Sequence, residues 1–169
     1  LKDETIVVNP NGFDKKLYSN NHLKIQKQTD FGLSKKYIIY ISRIEHPGKN
    51  HIRLIKAYEL LPLHIKESFD LVLIGSDFSN AHVVHEYVDG SNYRENIKFL
   101  GFVKNEDMPT LLSNADLFVF PSLYEGFGIP LVEAMAMNVP TICASNSSLK
   151  EIGEDTSVFF NEYDELSIK

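Results

Sequence analysis

The sequence predicts an α/β fold: a Rossmann-like, doubly wound parallel sheet of about six strands with helices on both faces. Three observations carry that expectation. Short apolar runs alternate along the chain with segments of helical period. The connections between them are short and mostly built on glycine, proline or small polar residues. The runs are continuous rather than alternating, the pattern of strands covered on both faces.

The elements follow in order. Residues 5–8 form a brief β-branched run, stopped by the turn formers Asn9, Pro10, Asn11 and Gly12. Residues 13–34 are polar and irregular, and fit either a linker or a loop wrapping the domain edge. The chain therefore divides into residues 1–34, an N-terminal strand with a linker or edge segment, and residues 35–169, the sheet domain. Residues 37–41, Y-I-I-Y-I, read as a buried strand. Asn50 is placed to cap the next helix. Leu54, Ile55, Tyr58 and Leu61 share one face of it, and Pro62 ends it. Residues 71–74 give a strand closed by Gly75, and residues 81–88 a helix. Residues 97–100 give a third strand, closed by Gly101. Asn105 opens a helix with Glu106 and Asp107 in its first turn and Met108, Leu111, Leu112 and Ala115 inward. A strand at 117–120, a glycine-bearing loop and a helix starting at Pro130 come next. A strand at 140–144, a short helix at 147–152 and a strand at 158–160 complete the pattern.

With strand order 3-2-1-4-5-6, the strand at Tyr37 lies beside the strand at Leu117. Their connections leave in opposite directions, and a crevice opens at the strand carboxyl ends. The two loops facing it are residues 42–50 and 121–128. They hold the most unusual polar residues of the chain.

Composition narrows the function classes. With 169 residues, 43% of them hydrophobic, the chain can bury one core. A net charge of −6 argues against nucleic acid as a partner, but not against a small phosphorylated ligand. Cys143 is the single cysteine, so neither a disulfide framework nor a cysteine metal cluster is expected, and it reads as a buried thiol at a strand end. No apolar run approaches the roughly 18–20 residues of a membrane span, and no signal peptide opens the chain. A cytoplasmic, soluble domain is expected, with surface association at the inner face of a membrane left open. Leu1 is not an initiator methionine, and the tail E-Y-D-E-L-S-I-K reads as a helix barely begun. The chain is therefore expected to be part of a longer protein.

Candidate chemistry concentrates in residues 116–137. Gly126 and Gly128 are expected to turn the loop tightly and admit a ligand to the backbone. Pro130 suits the first position of a helix. The free N–H groups at that helix start make an anion site. Glu125 in the loop and Glu133 in the opening helical turns are expected to accept hydrogen bonds from ligand hydroxyls. Arg43 and Lys49, a fixed fork and a mobile point charge, suit a diphosphate. The blander alternative pairs Arg43 with Glu45, leaves Lys49 solvated and makes Glu133 an ordinary acid at a helix start.

Other readings are weaker. A glycosidase pair made of Glu125 and Glu133 is disfavoured, because carboxylates beside a diphosphate are better placed to bind sugar hydroxyls. His82 and His85 have metal-site spacing but no evident third ligand, and read as a solvated face. His46 lies in the phosphate loop. Gly75, Ser76 and Asp77 read as a simple turn. The dinucleotide fingerprint, the Walker loop and the nucleophile elbow are all missing from the sequence.

At residues 125–134, E-G-F-G-I-P-L-V-E-A resembles the signature of the retaining glycosyltransferases of family 4, the glycosyl transferases group 1. Two glutamates are separated by seven intervening residues, F-G-I-P among them. V-N-P-N-G-F-D at 8–14, I-S-R-I-E-H-P-G-K-N at 41–50, F-L-G-F-V at 99–103 and A-D-L-F-V-F-P-S at 115–122 agree in order. The resemblance covers nearly the whole chain. One departure is Ser42, where the family often has glycine.

The resemblance implies the C-terminal, donor-binding half of a GT-B enzyme, two Rossmann-like domains facing across a cleft. Arg43 and Lys49 would hold the donor diphosphate and stabilise the leaving nucleotide, so no metal or other cofactor is implied. Glu125 would contact the transferred sugar. The N–H groups of Phe127, Gly128 and Ile129 would contact sugar and phosphate, and Glu133 the ribose. Phe102 and Val103 would lie against the base. The donor would be a UDP-, GDP- or ADP-sugar. A glycan or lipid-linked acceptor would bind an N-terminal domain that the sequence does not contain, and the isolated domain would catalyse little. Surface polysaccharide biosynthesis is the expected setting. The alternatives are a glycogen- or sucrose-synthase-like sugar transferase, and a non-catalytic nucleotide- or protein-binding module.

Overall fold

A computed structural model of the chain describes residues 9–19 and 28–169. The β-branched run expected at residues 5–8 lies outside the described residues. Six strands form one parallel sheet: β1 (Lys36–Ile41), β2 (Phe69–Ile74), β3 (Ile97–Gly101), β4 (Leu117–Phe120), β5 (Thr141–Ala144) and β6 (Ser157–Phe160). Their spatial order is β3-β2-β1-β4-β5-β6, as the alternation of elements predicts. β1 pairs along its whole length with β2, from Lys36 opposite Phe69 to Ile41 opposite Ile74. On its other side β1 pairs with β4 through Ile38–Leu117 and Ile39–Phe118. The chain reverses its winding direction between these two pairings.

Among the described residues, seven α-helices connect or follow the strands: α1 (His51–Glu59), α2 (Leu63–Ser68), α3 (Ala81–Asp89), α4 (Met108–Ser113), α5 (Ile129–Ala136), α6 (Ser147–Gly153) and α7 (Glu165–Ile168). The central strands are apolar because both of their faces are covered. Ile39, Leu71, Val72, Leu73, Phe118 and Phe120 are almost inaccessible to solvent, and each such side chain contributes ~1.5–3 kcal/mol through burial. The phenol of Tyr37 reaches the carbonyl of Leu111 in α4 at 2.6 Å, so even the polar tip of this core residue is satisfied. Leu33 and Tyr18 join the same core, so parts of the N-terminal segment pack against the sheet domain.

Several local expectations need correction. α1 stops at Glu59, and Leu61 lies beyond it. Pro62 does not simply end a helix: it precedes a second one, α2, because its fixed φ also suits a helix entrance. The second strand starts at Phe69, two residues before the apolar run, since Phe69 and Asp70 complete the ladder with β1. Residues 104–107 form a turn, and α4 begins only at Met108. Asn50 precedes α1 in a left-handed conformation and makes no side-chain cap bond, since its amide is committed elsewhere. Cys143 is buried as expected, and burial pushes its thiol pKa up to about 11, which leaves it protonated and unreactive.

Gly75, Ser76 and Asp77 are more than a turn. They run parallel to the first crevice loop, with Ser42 N–H bonded to Ile74 O and Ile44 N–H to Ser76 O. At Gly75, φ is +149°, and a Cβ there would lie 1.9 Å from the Ser42 carbonyl oxygen. Gly75→Ala is therefore expected to destabilise the domain by roughly 1–3 kcal/mol or more in urea unfolding. At Gly126 an added Cβ meets nothing within 4 Å, and Gly126→Ala should change stability by about 0.5 kcal/mol or less.

Candidate active site

The site is built where β1 and β4 end side by side. Tyr40 is in β1 and Ser122 follows β4. The Tyr40 hydroxyl donates to the Lys49 carbonyl at 2.9 Å and accepts from the Ser122 hydroxyl at 2.9 Å. The Asn50 amide donates to the carbonyl of Pro121 at 2.9 Å and of Glu162 at 2.8 Å. Leu123 N–H reaches the Gly48 carbonyl at 3.0 Å. These bonds join the two crevice loops, and all are shielded enough from water to matter.

On the far side of the loop, Gly128 adopts φ +100°, and a Cβ there would sit 2.8 Å from Leu149 Cδ2. Only glycine allows this approach, which turns the chain into α5. Gly126 shows no such constraint, so of the two expected loop glycines only Gly128 needs its identity. α5 begins at Ile129, which puts Pro130 in its second position rather than its first.

A cleft of about 370 Å³ opens here, and Arg43, Lys49, Glu125, Phe127, Gly128 and Ile129 all line it. The convergence expected from the sequence is present. The cations arrive on the loop after β1, and the first N–H groups of α5 arrive after β4. Lys49 Nζ lies 2.7 Å from Glu125 Oε1, with the two side chains 16% and 14% exposed. Lys49 is thus not solvated. Arg43 is more open. It pairs with Glu45 at 3.3 Å and lies 4.2 Å above the Phe78 ring. The Arg43–Glu45 pair is half-exposed, and such pairs are weak enough to exchange for a ligand anion. Glu125 is itself fixed from the other side: Ser148 donates to its carbonyl at 3.1 Å, and its N–H is bonded to Ser147 Oγ at 3.2 Å.

Glu133 is half-buried in the second turn of α5, outside the residues that line the cleft wall. Burial raises its pKa, and a hydrogen bond from Tyr18 lowers it. Phe102 and Val103 also lie outside this cleft. They line a separate hollow of about 410 Å³ beyond β3, where Phe102 is 76% exposed. Between the two, Ile44, Gly75, Asp77, His85 and Phe99 line a third hollow. The three hollows lie in a row along the strand carboxyl ends.

Ser42, the departure from the family pattern, is accommodated by His51. The ring's Nδ1–H faces the Glu45 carbonyl at 3.3 Å, which leaves Nε2, 3.3 Å from Ser42 Oγ, as an acceptor. The ring is 1% exposed. Desolvation lowers its pKa to about 4, against a weaker upward pull from the Glu45 carbonyl.

Sequence reasoning missed three features. Asn11 lines the cleft from the N-terminal segment. Tyr18 from the same segment is buried in the core. His85 has an acid partner, Asp77 at 2.8 Å, and packs on Phe99 at 4.5 Å. Among the described residues no group of three His, Cys, Asp or Glu is placed to hold a metal. A second groove, about 430 Å³ and nearly all apolar, lies against α1 and α7, with Asp116 and Lys169 its charged lining residues. Nothing there converges on a ligand.

These features define a doubly wound α/β domain with a cleft lined by Arg43, Lys49 and the start of α5 at its topological switch point. The family model of "Glycosyl transferases group 1" matches residues 21–168, and the chain belongs to that family. It is 38% identical over 133 residues to O-antigen chain mannosyltransferase B of Escherichia coli, covering 78% of this chain and 35% of that protein. The chain spans about a third or less of the length of the first curated relatives it matches. The crystal structure of Anabaena Alr3699/HepE in complex with UDP and glucose superposes with a TM-score of 0.78 at 24% identity, over 94% of this chain and 44% of that one. The C-terminal domain of the group 1 glycosyl transferase LpcC of Francisella tularensis superposes at 0.71 with 20% identity, over 93% of this chain and 84% of that one. The fold is that of one Rossmann-like half of a GT-B enzyme.

The buried His51 has a measurable consequence. Its folded-state pKa of about 4 lies below the ordinary 6.5, so unfolding takes up a proton between those values. The ring's contribution to stability is complete above pH 6.5 and is lost as pH falls toward 4, at up to roughly 1.4 kcal/mol per unit. An NMR titration of the His51 ring should show a midpoint near 4; a midpoint near 6.5 would refute the burial argument.

Proposed function

We propose that the chain is the donor-binding domain of a retaining, metal-independent glycosyltransferase acting on a nucleotide-diphosphate-sugar. The observation that carries this is the single cleft shared by Arg43, Lys49 and the start of α5. Two cations and a helix entrance on one cleft suit a diphosphate better than any other common ligand group. In this reading Arg43 and Lys49 neutralise the charge that develops on the departing nucleoside diphosphate. That is the task a divalent cation performs in other phosphate sites, so none is required. Glu125 contacts the transferred sugar, and the N–H groups of Phe127, Gly128 and Ile129 receive sugar and phosphate oxygens. Glu133 accepts from the ribose hydroxyls. The base extends along the strand ends toward Phe102 and Val103.

The related O-antigen mannosyltransferase and the UDP-bound HepE structure support a sugar donor and a glycan product. The acceptor, a glycan or a lipid-linked sugar, would meet the donor from a facing second domain. Among the described residues no helix is long and apolar enough to cross a membrane. We place the enzyme in the cytoplasm, where nucleotide sugars serve as donors, with peripheral attachment to the membrane that carries a lipid-linked acceptor.

Calorimetric titration with UDP, GDP and ADP tests the site directly. Lys49→Ala should weaken the best of them by about 10- to 100-fold, the equivalent of about 1.5–3 kcal/mol for a hydrogen bond to a charged group. Affinity unchanged by both Lys49→Ala and Arg43→Ala would remove the diphosphate assignment.

A further inference from the structure

Arg43 is the most open of the charged residues that line the cleft, and a residue outside the cleft holds it. The loop after β2 is laced to the first crevice loop at both residues. Ser42 N–H donates to Ile74 O at 2.9 Å and Ile44 N–H to Ser76 O at 3.0 Å, which fixes the backbone on either side of Arg43. Phe78 N–H returns to Ile44 O at 2.9 Å and His46 N–H donates to Ser79 O at 3.1 Å, which fixes the backbone at Phe78. The two side chains therefore leave adjoining backbones, and the Arg43 guanidinium carbon lies 4.2 Å from the centre of the Phe78 ring. Phe78 is 56% exposed and does not line the cleft. Glu45 holds the guanidinium more loosely: its Oε2 makes an ion-pair contact at 3.3 Å but accepts no hydrogen bond among the described residues.

We propose that Phe78 is a positioning residue for Arg43: its ring holds the guanidinium on the cleft wall and leaves the N–H fork free for the ligand's diphosphate. The proposal rests on the reading of Arg43 as a diphosphate-binding residue. An aromatic face attracts a cation through the ring quadrupole, within about 6 Å of the ring centre. It offers no oxygen acceptor. Glu45 and a phosphate compete for the same N–H donors, whereas the ring competes with neither. Phe78 can therefore stay in place while an anion replaces Glu45. Without the ring, a long and exposed arginine would sample many rotamers and would be ordered only on binding, at a cost in affinity. Exposed apolar residues are ordinary when scattered singly. Phe78 is set apart by the cation over its face and by the backbone bonds that fix both loops.

Two measurements test it. The first needs no ligand: the Arg43 Nε–H resonance in proton–nitrogen NMR spectra of the wild type, Phe78→Leu and Phe78→Tyr. The ring current should move the wild-type proton upfield. That shift should vanish in Phe78→Leu and persist in Phe78→Tyr. A resonance left unchanged by Phe78→Leu would overturn the proposal. The second is calorimetric titration with UDP, GDP and inorganic pyrophosphate. Phe78→Leu should weaken all three by about 2- to 5-fold, the range of an exposed cation–π contact, and Phe78→Tyr should keep wild-type affinity. With the tightest of the three ligands, Phe78→Leu should cause no further loss in the Arg43→Ala background and its full loss in the Lys49→Ala background. A Phe78→Leu loss that persists without Arg43 would mark a direct ligand contact or a packing effect; the role of Phe78 then falls and the diphosphate reading stands. Equal losses in Phe78→Leu and Phe78→Tyr would also overturn it, because the aromatic face would not be what matters. If Arg43→Ala leaves all three affinities unchanged, the reading of Arg43 as a diphosphate-binding residue itself falls, and the proposal with it.

Discussion

The site depends on one constraint: two loops that leave adjacent strands in opposite directions must be held edge to edge. Strand pairing alone does not do this. β1 and β4 share only two register pairs, Ile38–Leu117 and Ile39–Phe118, both well short of the loops. The join is completed by side chains that reach across. The buried Asn50 amide spans to Pro121 and Glu162, the Tyr40 hydroxyl bridges Lys49 and Ser122, and Leu123 N–H closes on Gly48. Glu162 apart, each of these groups sits one or two residues from a cleft residue or is bonded to its backbone. Deleting one partner leaves a buried polar group unsatisfied, which costs about 1–3 kcal/mol. The stitching is therefore stiff, and Lys49 is carried at a defined distance from the start of α5. Asn50 also explains its own backbone: the left-handed turn at φ 59° aims the amide across the crevice rather than along α1.

This is also where the sequence was legible and where it was not. The strand order followed from alternation, because apolar runs and helical periods are local signals and the winding rules leave few topologies. The cleft residues were legible for a related reason. Arg43, Lys49 and Glu125 lie in loops flanking the two strands that the topology makes neighbours. What failed were statements about where a side chain points. Asn50 has the composition of a helix cap, but a cap and a cross-loop bridge use the same amide, and only the tertiary partner decides. Asp77 and His85 are eight residues apart and on different elements, so no helical spacing connects them. Tyr18 lies in a polar, aperiodic segment that offers no register from which its burial in the core could be read. The exposed Phe102 shows the converse: its place after β3 was legible, but its separation from the cleft at Arg43 and Lys49 was not.

The charge balance of the cleft has a direct bearing on ligand choice. Lys49 and Glu125 are each largely withdrawn from water, and each alone would be an expensive group to leave uncompensated. Together they compensate one another, so this little-exposed pair contributes little net field to the cleft. Arg43 is 56% exposed and its partner Glu45 21%, so the guanidinium is the cation open to an anion arriving from solvent. When an anion reaches Lys49, the lysine changes partners and Glu125 loses its own. The exchange is favourable only if something donates to Glu125 at the same time. A fully deprotonated anion such as sulfate cannot do so. A ligand in which a diphosphate is joined to a hydroxylated ring supplies both groups at once, and the Gly128 turn brings α5 close enough for both to be met within one cleft. In the proposed reading, the Lys49–Glu125 pair therefore favours a sugar-bearing diphosphate over an anion that has no hydroxyl to donate.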